Sequence, residues 1–116
     1  MLPNWAFGVW MSANEWNTQK RVEEVVEKTE ELKIPSSVMV IEAWSDENTF
    51  YIWNDAEYTP KPGSEKFSYD DFSFKKDGMW PNPKAMIENL HQKGIKLILW
   101  QIPTLKLNED KHIQLT

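Results

Sequence analysis

Two apolar runs of strand length, AFGVWM (residues 6–11) and VMVIEAW (38–44), flank a segment whose apolar residues recur on a different period. Val22, Val25, Val26, Thr29 and Leu32 fall at i, i+3, i+4, i+7 and i+10, with glutamates and Lys28 filling the positions between them. Recurrence near 3.6 residues belongs to a helix with one buried stripe, whereas a short β-branched run belongs to a strand. Asn17 or Thr18 can cap this helix, and Pro35 is expected to end it. The same alternation returns further on. Asn82-Pro83 opens a second helix with Met86, Ile87 and Leu90 as its stripe, and Gly94 stands where a left-handed C-terminal residue is wanted. IKLILWQI (95–102) then reads as a strand closed by Pro103. The spacing predicts strands near 6–11, 38–44 and 95–102, with helices near 18–33 and 83–93.

Strands separated by helices pair in parallel through right-handed crossovers, so the expected class is α/β with spatial order 1-2-3. Apolar runs on all three strands imply a sheet covered on both faces in the intact molecule. If Glu42 faces away from the helices, alternation sends Trp10, Val38, Val40, Ile98 and Trp100 the same way. Phe7, Val9, Met39, Ile41, Leu97 and Leu99 are then expected under the helices. Residues 45–78 interrupt the alternation with Pro60, Pro62, Gly63 and Gly78. Some strand character at 49–53 and 67–74 suggests an excursion hairpin within this long loop.

With 116 residues there is room for one domain only. A net charge of −5 argues against nucleic acid, which rewards phosphate neutralisation, and against an anionic membrane surface. No apolar run approaches the roughly 18 residues of a membrane-spanning helix. The absence of Cys excludes disulfides, thiolate metal sites and a Cys nucleophile, while leaving the compartment open. FGVW carries one glycine where a dinucleotide loop needs three, and neither a P-loop nor a Gly-x-Ser-x-Gly elbow occurs. His91 falls on a helix and His112 in the polar tail, and no metal and no cofactor is expected. Asp46 and Glu47 are expected on a solvated loop.

Chemistry in a parallel α/β fold gathers at the C-terminal strand ends. Those ends read Trp10, Glu42-Ala43-Trp44 and Trp100-Gln101. An acid within an apolar strand end is costly unless paired or functional. Flanked by tryptophans, it suits a neutral polyol such as a sugar. The same residues also suit a purely structural role, with tryptophans filling a core and Glu42 meeting a backbone donor.

PNWAFGVWMS (3–12), VMVIEAW, FYIWND (50–55) and above all MWPNPKAMIENLHQKGIKLILWQIP (79–103) resemble the opening of the catalytic barrel of glycoside hydrolase family 31, which includes α-glucosidases and α-xylosidases. The resemblance departs over roughly 56–78, where an insertion is expected. It implies a partial (β/α)8 TIM barrel, with residues 1–116 forming its first three parallel β/α units and the long loop following the second strand. It also implies a retaining mechanism with two aspartates on later strands, so no catalytic residue is expected in this chain. The resemblance places Glu42 where the family usually has an aspartate that binds hydroxyls of the sugar. Trp53 and Trp100 match pocket tryptophans, and Trp16 can lie over the site from the first loop. The implied partner is a carbohydrate substrate. A sheet with open edges and an uncovered apolar face is expected to self-associate, so a homo-oligomer is expected of the isolated chain. A non-catalytic carbohydrate-binding or self-associating α/β module is the rival reading.

Overall fold

A computed structural model describes residues 1–45, 52–63, 66 and 68–102. Asp46, Glu47, residues 49–51 of the expected hairpin, Phe67, Pro103, His112 and the rest of the tail lie outside the described residues. Three strands, β1 (Val9–Ala13), β2 (Ser36–Ile41) and β5 (Lys96–Leu99), form a sheet in the order β1-β2-β5. Both pairings are parallel. Helix α1 (Gln19–Glu31) links β1 to β2, and α2 (Pro83–Gln92) leads into β5. The excursion between β2 and α2 contains an antiparallel pair, β3 (Ala56–Tyr58) with β4 (Phe72–Phe74). A hairpin is thus present, but its first strand begins at Ala56.

The helices start as their sequence dictates. Thr18 accepts a hydrogen bond from the Arg21 amide, and Asn82 accepts one from Ala85 with Pro83 in the first turn. Both helices end in the same motif. The Ile34 amide bonds to the Thr29 carbonyl and Lys33 to Glu30; likewise Ile95 bonds to Leu90 and Gly94 to His91. Gly94 takes its left-handed conformation freely at φ 76°, whereas Lys33 is held there at φ 55°. This corrects the expectation that Pro35 ends α1: the helix closes before the proline is reached. Leu32, counted in the buried stripe, is instead exposed.

The largest correction concerns the first strand. Pro3 starts a 3-10 turn over Asn4–Phe7, closed by the Ala6 amide on the Pro3 carbonyl and the Gly8 amide on Trp5. Those bonds occupy backbone groups that a strand would need, so β1 begins only at Val9. Its register shifts between Val9 and Trp10 before settling at Trp10↔Val38. Phe7 and Val9 are therefore exposed rather than packed under the helices, and Met11 occupies the place expected for them.

The core lies between the sheet and the two helices. Met39 and Ile41 from β2 meet Val22 and Val26 of α1 and Met86 and Leu90 of α2, with Leu97 and Leu99 packed against the cluster. Val38, on the opposite face of β2, is also fully buried, and the turn at Asn4–Phe7 packs near that strand. Gln19 ties the two halves together. Its amide donates to the Met79 carbonyl at 2.8 Å, and its side-chain oxygen accepts the Asn82 amide at 2.8 Å.

Candidate functional site

The register fixes which groups share the face away from the helices. Trp10 stands level with Val38 and Lys96, and Ser12 is level with Val40 and Ile98. Trp10 therefore belongs to the N-terminal end of its strand, not to the rim where sequence reading put it. It stacks instead on Trp5, with ring centroids 6.2 Å apart. At the C-terminal end of β1 its place is taken by Ser12, which sequence reading missed. The Ser12 hydroxyl donates to Oε1 of Glu42. Had β1 been placed at its true position, alternation alone would have aimed Ser12 at Glu42.

Glu42 follows directly on β2, the central strand, where the chain bends over residues 42–44. It is half-buried, and the bond from Ser12 places it on the face opposite α1 and α2. Trp100 follows directly on β5. Its amide donates to the Ile41 carbonyl at 3.0 Å, extending the ladder by one step, and the residue is 42% exposed. Ser12, Glu42 and Trp100 thus stand at the C-terminal ends of three adjacent parallel strands.

Trp53 and Trp16 occupy different ground. Trp53 leaves the excursion to sit between two buried indoles, 5.3 Å from Trp44 edge-on and 4.8 Å from Trp80. A bridge between Ser45 and Trp53 anchors it beside the end of β2. Trp16 lies on the loop after β1 and packs, half-buried, against the same core cluster. The structure therefore brings Glu42 and Trp100 together on the strand ends, while Trp53 joins Trp44 and Trp80 in an aromatic buttress behind them and Trp16 packs against the same core cluster. Among the described residues, no group of three or more His, Asp or Glu side chains is placed to hold a metal. His91 is exposed on α2.

A carboxylate accepts hydroxyl hydrogen bonds strongly because the acceptor is charged. An exposed indole beside it offers a flat apolar surface for the C–H face of a ring. Parallel strands with interleaved helices define a segment of an α/β barrel, a fold in which chemistry gathers at the C-terminal strand ends. The chain belongs to glycosyl hydrolases family 31, whose TIM-barrel domain matches residues 1–115. It is 51% identical over 113 residues to the isomaltosyltransferase of Sporosarcina globispora, covering 97% of this chain and 10% of that protein. It is 50% identical over 105 residues to the 1,3-alpha-isomaltosidase of Kribbella flavida, covering 90% and 14%. The solved cycloalternan-degrading enzyme from Trueperella pyogenes, in complex with isomaltose, superposes with a TM-score of 0.85 at 49% identity over 95% of this chain and 16% of that one. The chain thus spans between a tenth and a sixth of the length of these relatives.

Proposed function

We propose that this chain forms the first three β/α units of the catalytic barrel of a retaining α-glycosidase, and that it contributes part of the sugar-binding wall. The observation that carries the reading is the placement of Glu42. It stands at the C-terminal end of the central strand, on the face away from the helices, oriented by Ser12 and flanked by Trp100. Glu42 accepts sugar hydroxyls, and the Trp100 ring supports the sugar face. Trp53 and Trp16, on the loops that follow the second and first strands, support that wall from behind. The nucleophile and the acid/base are aspartates on later strands of the barrel. The activities of the isomaltosyltransferase and the 1,3-alpha-isomaltosidase favour an α-glucan containing isomaltosyl units as substrate.

The test uses the full-length enzyme that carries this segment. Glu42→Gln keeps the shape and removes the charge. A hydrogen bond to a charged group contributes about 1.5–3 kcal/mol, so kcat/KM for isomaltosyl substrates is expected to fall roughly 10- to 100-fold. An unchanged kcat/KM would overturn the reading. The 116-residue chain by itself is expected to show no turnover of aryl α-glucosides, and turnover lost on Glu42→Gln would place catalysis in this chain after all.

The Asn4–Phe7 turn covers part of the face away from the helices and buries Val38, and a self-associating role for the isolated chain is favoured by the part left open. Trp10 and Trp100 remain 48% and 42% exposed, and Trp53 and Trp80 of the excursion pack on the helix side of the sheet instead. Sedimentation at micromolar concentration is expected to show a dimer or larger species, and a lone monomer would refute it.

A further inference from the structure

We propose that Trp44 is a positioning residue for Trp100, acting through the Trp100 backbone and never touching the sugar. This rests on the reading of Trp100 as part of the sugar-binding wall. Trp44 is 3% exposed, so it has almost no surface to offer a ligand. Its Nε1–H donates to the Trp100 carbonyl at 2.8 Å.

The bond matters because of where β2 stops. The Trp100 amide takes the last backbone acceptor of β2, the Ile41 carbonyl. A regular parallel ladder would next present a β2 backbone amide to the Trp100 carbonyl. At residues 42–44 the chain bends out of the strand instead. The indole of Trp44 reaches back and supplies the donor. Both backbone groups of Trp100 are therefore held by the segment that carries Glu42, one by Ile41 and one by Trp44.

Trp44 is itself fixed. Trp53 meets it edge-on at 71°, and Trp53 rests on Trp80. The Met79 carbonyl and the Asn82 amide, on either side of the Trp80-Pro81 step, are both held by Gln19 at the start of α1. A rigid path thus runs from α1 through three indoles to the Trp100 carbonyl. It holds Glu42 and Trp100, on neighbouring strand ends, at one mutual spacing. That spacing selects the sugar: a carboxylate and a ring face recognise a hexose together only when both reach it.

A double-mutant cycle in the full-length enzyme tests this, with kcat/KM read on an isomaltosyl-containing α-glucan and isomaltose as the binding probe. Trp44→Phe keeps an aromatic ring and removes the N–H donor. It is expected to lower kcat/KM about five-fold while the melting temperature stays within a few degrees. Trp100→Ala is expected to lower kcat/KM more, and adding Trp44→Phe to it is expected to change nothing further. Losses that multiply in the double variant would overturn the positioning role and leave Trp44 a core residue. If Trp100→Ala leaves kcat/KM unchanged, the wall reading itself fails, which is a separate outcome. A second measurement leaves Trp44 intact. The Trp44 indole 15N–1H resonance is expected to shift when isomaltose binds, and to stay put in Trp100→Ala at equal occupancy. A resonance that ignores isomaltose in the unsubstituted enzyme would also refute the proposal.

Discussion

Replacing Gly8 with alanine isolates one contact. The backbone at Gly8 sits at φ −82° and ψ −172°, a conformation open to any residue, so alanine meets no torsional objection. The obstacle is space. A Cβ built on Gly8 falls 1.7 Å from the Ser37 hydroxyl oxygen and 2.5 Å from the Ser37 Cβ. The hydroxyl can rotate away, whereas the Cβ is fixed to the β2 backbone. Restoring an ordinary carbon–carbon contact requires the start of β1 to part from β2 by about 1 Å. That movement falls on the Val9↔Ser36 pairing, where the register is already irregular. Overpacking of this kind destabilises by about 1–3 kcal/mol, or on the order of 5 °C in Tm per kcal/mol for a chain of this size. Ser37→Gly removes both clashing atoms. By itself it is expected to cost about 0.5–1 kcal/mol through backbone freedom. Combined with Gly8→Ala it is expected to leave the chain more stable than Gly8→Ala alone. Urea unfolding followed by tryptophan fluorescence reads all three variants. A Gly8→Ala midpoint matching the parent chain, or losses that simply add in the double variant, would refute the argument.

Three further outcomes are expected from the same assay. Gln19→Ala strips the Asn82 amide of its partner between the two helices and is expected to lower stability by about 1–2 kcal/mol; a change below about 0.5 kcal/mol would mean that water replaces the bond at no loss. Lys33→Gly relieves a left-handed residue in the cap of α1 and is expected to raise stability by about 0.5–1 kcal/mol after the entropy of the added glycine is offset; a lowered midpoint would contradict it. Met39→Ala opens a cavity in the middle of the sheet and is expected to cost about 2–5 kcal/mol; retention of the parent midpoint would show that the core closes around the loss.

What was legible in the sequence is what local physics decides. The valine stripe of α1, the Asn82-Pro83 start of α2 and the β-branched run of β2 specify their elements without outside help, and the parallel order follows from them. Alternation along β2 and β5 correctly placed Met39, Ile41, Leu97 and Leu99 under the helices. The first strand was misread because AFGVWM looks continuous, while Pro3 and the turn bonds that follow it draw Asn4–Phe7 into a 3-10 turn. That error moved Trp10 to the wrong strand end and hid Ser12. Glu42 and Trp100 were legible as strand-end residues, since each ends an apolar run. The Trp44–Trp53–Trp80 buttress was not, because it joins residues far apart in the chain through an excursion whose course no short-range pattern reports.

The excursion bears on how such a chain finds its fold. From Val38 on β2 to its partner Lys96 on β5 the chain runs about twice as far as from Trp10 to Val38. Doubling a loop adds only about 0.6 kcal/mol of closure entropy, so the detour is cheap at equilibrium. In time it is not neutral, because distant strands must wait for a rarer encounter. The β1-α1-β2 unit therefore closes first and offers β2 as a template. The third strand docks later, when the detour has folded enough to bring Trp53 and Trp80 under the end of β2. The neighbouring strand ends that carry Glu42 and Trp100 are then among the last parts of this chain to come together.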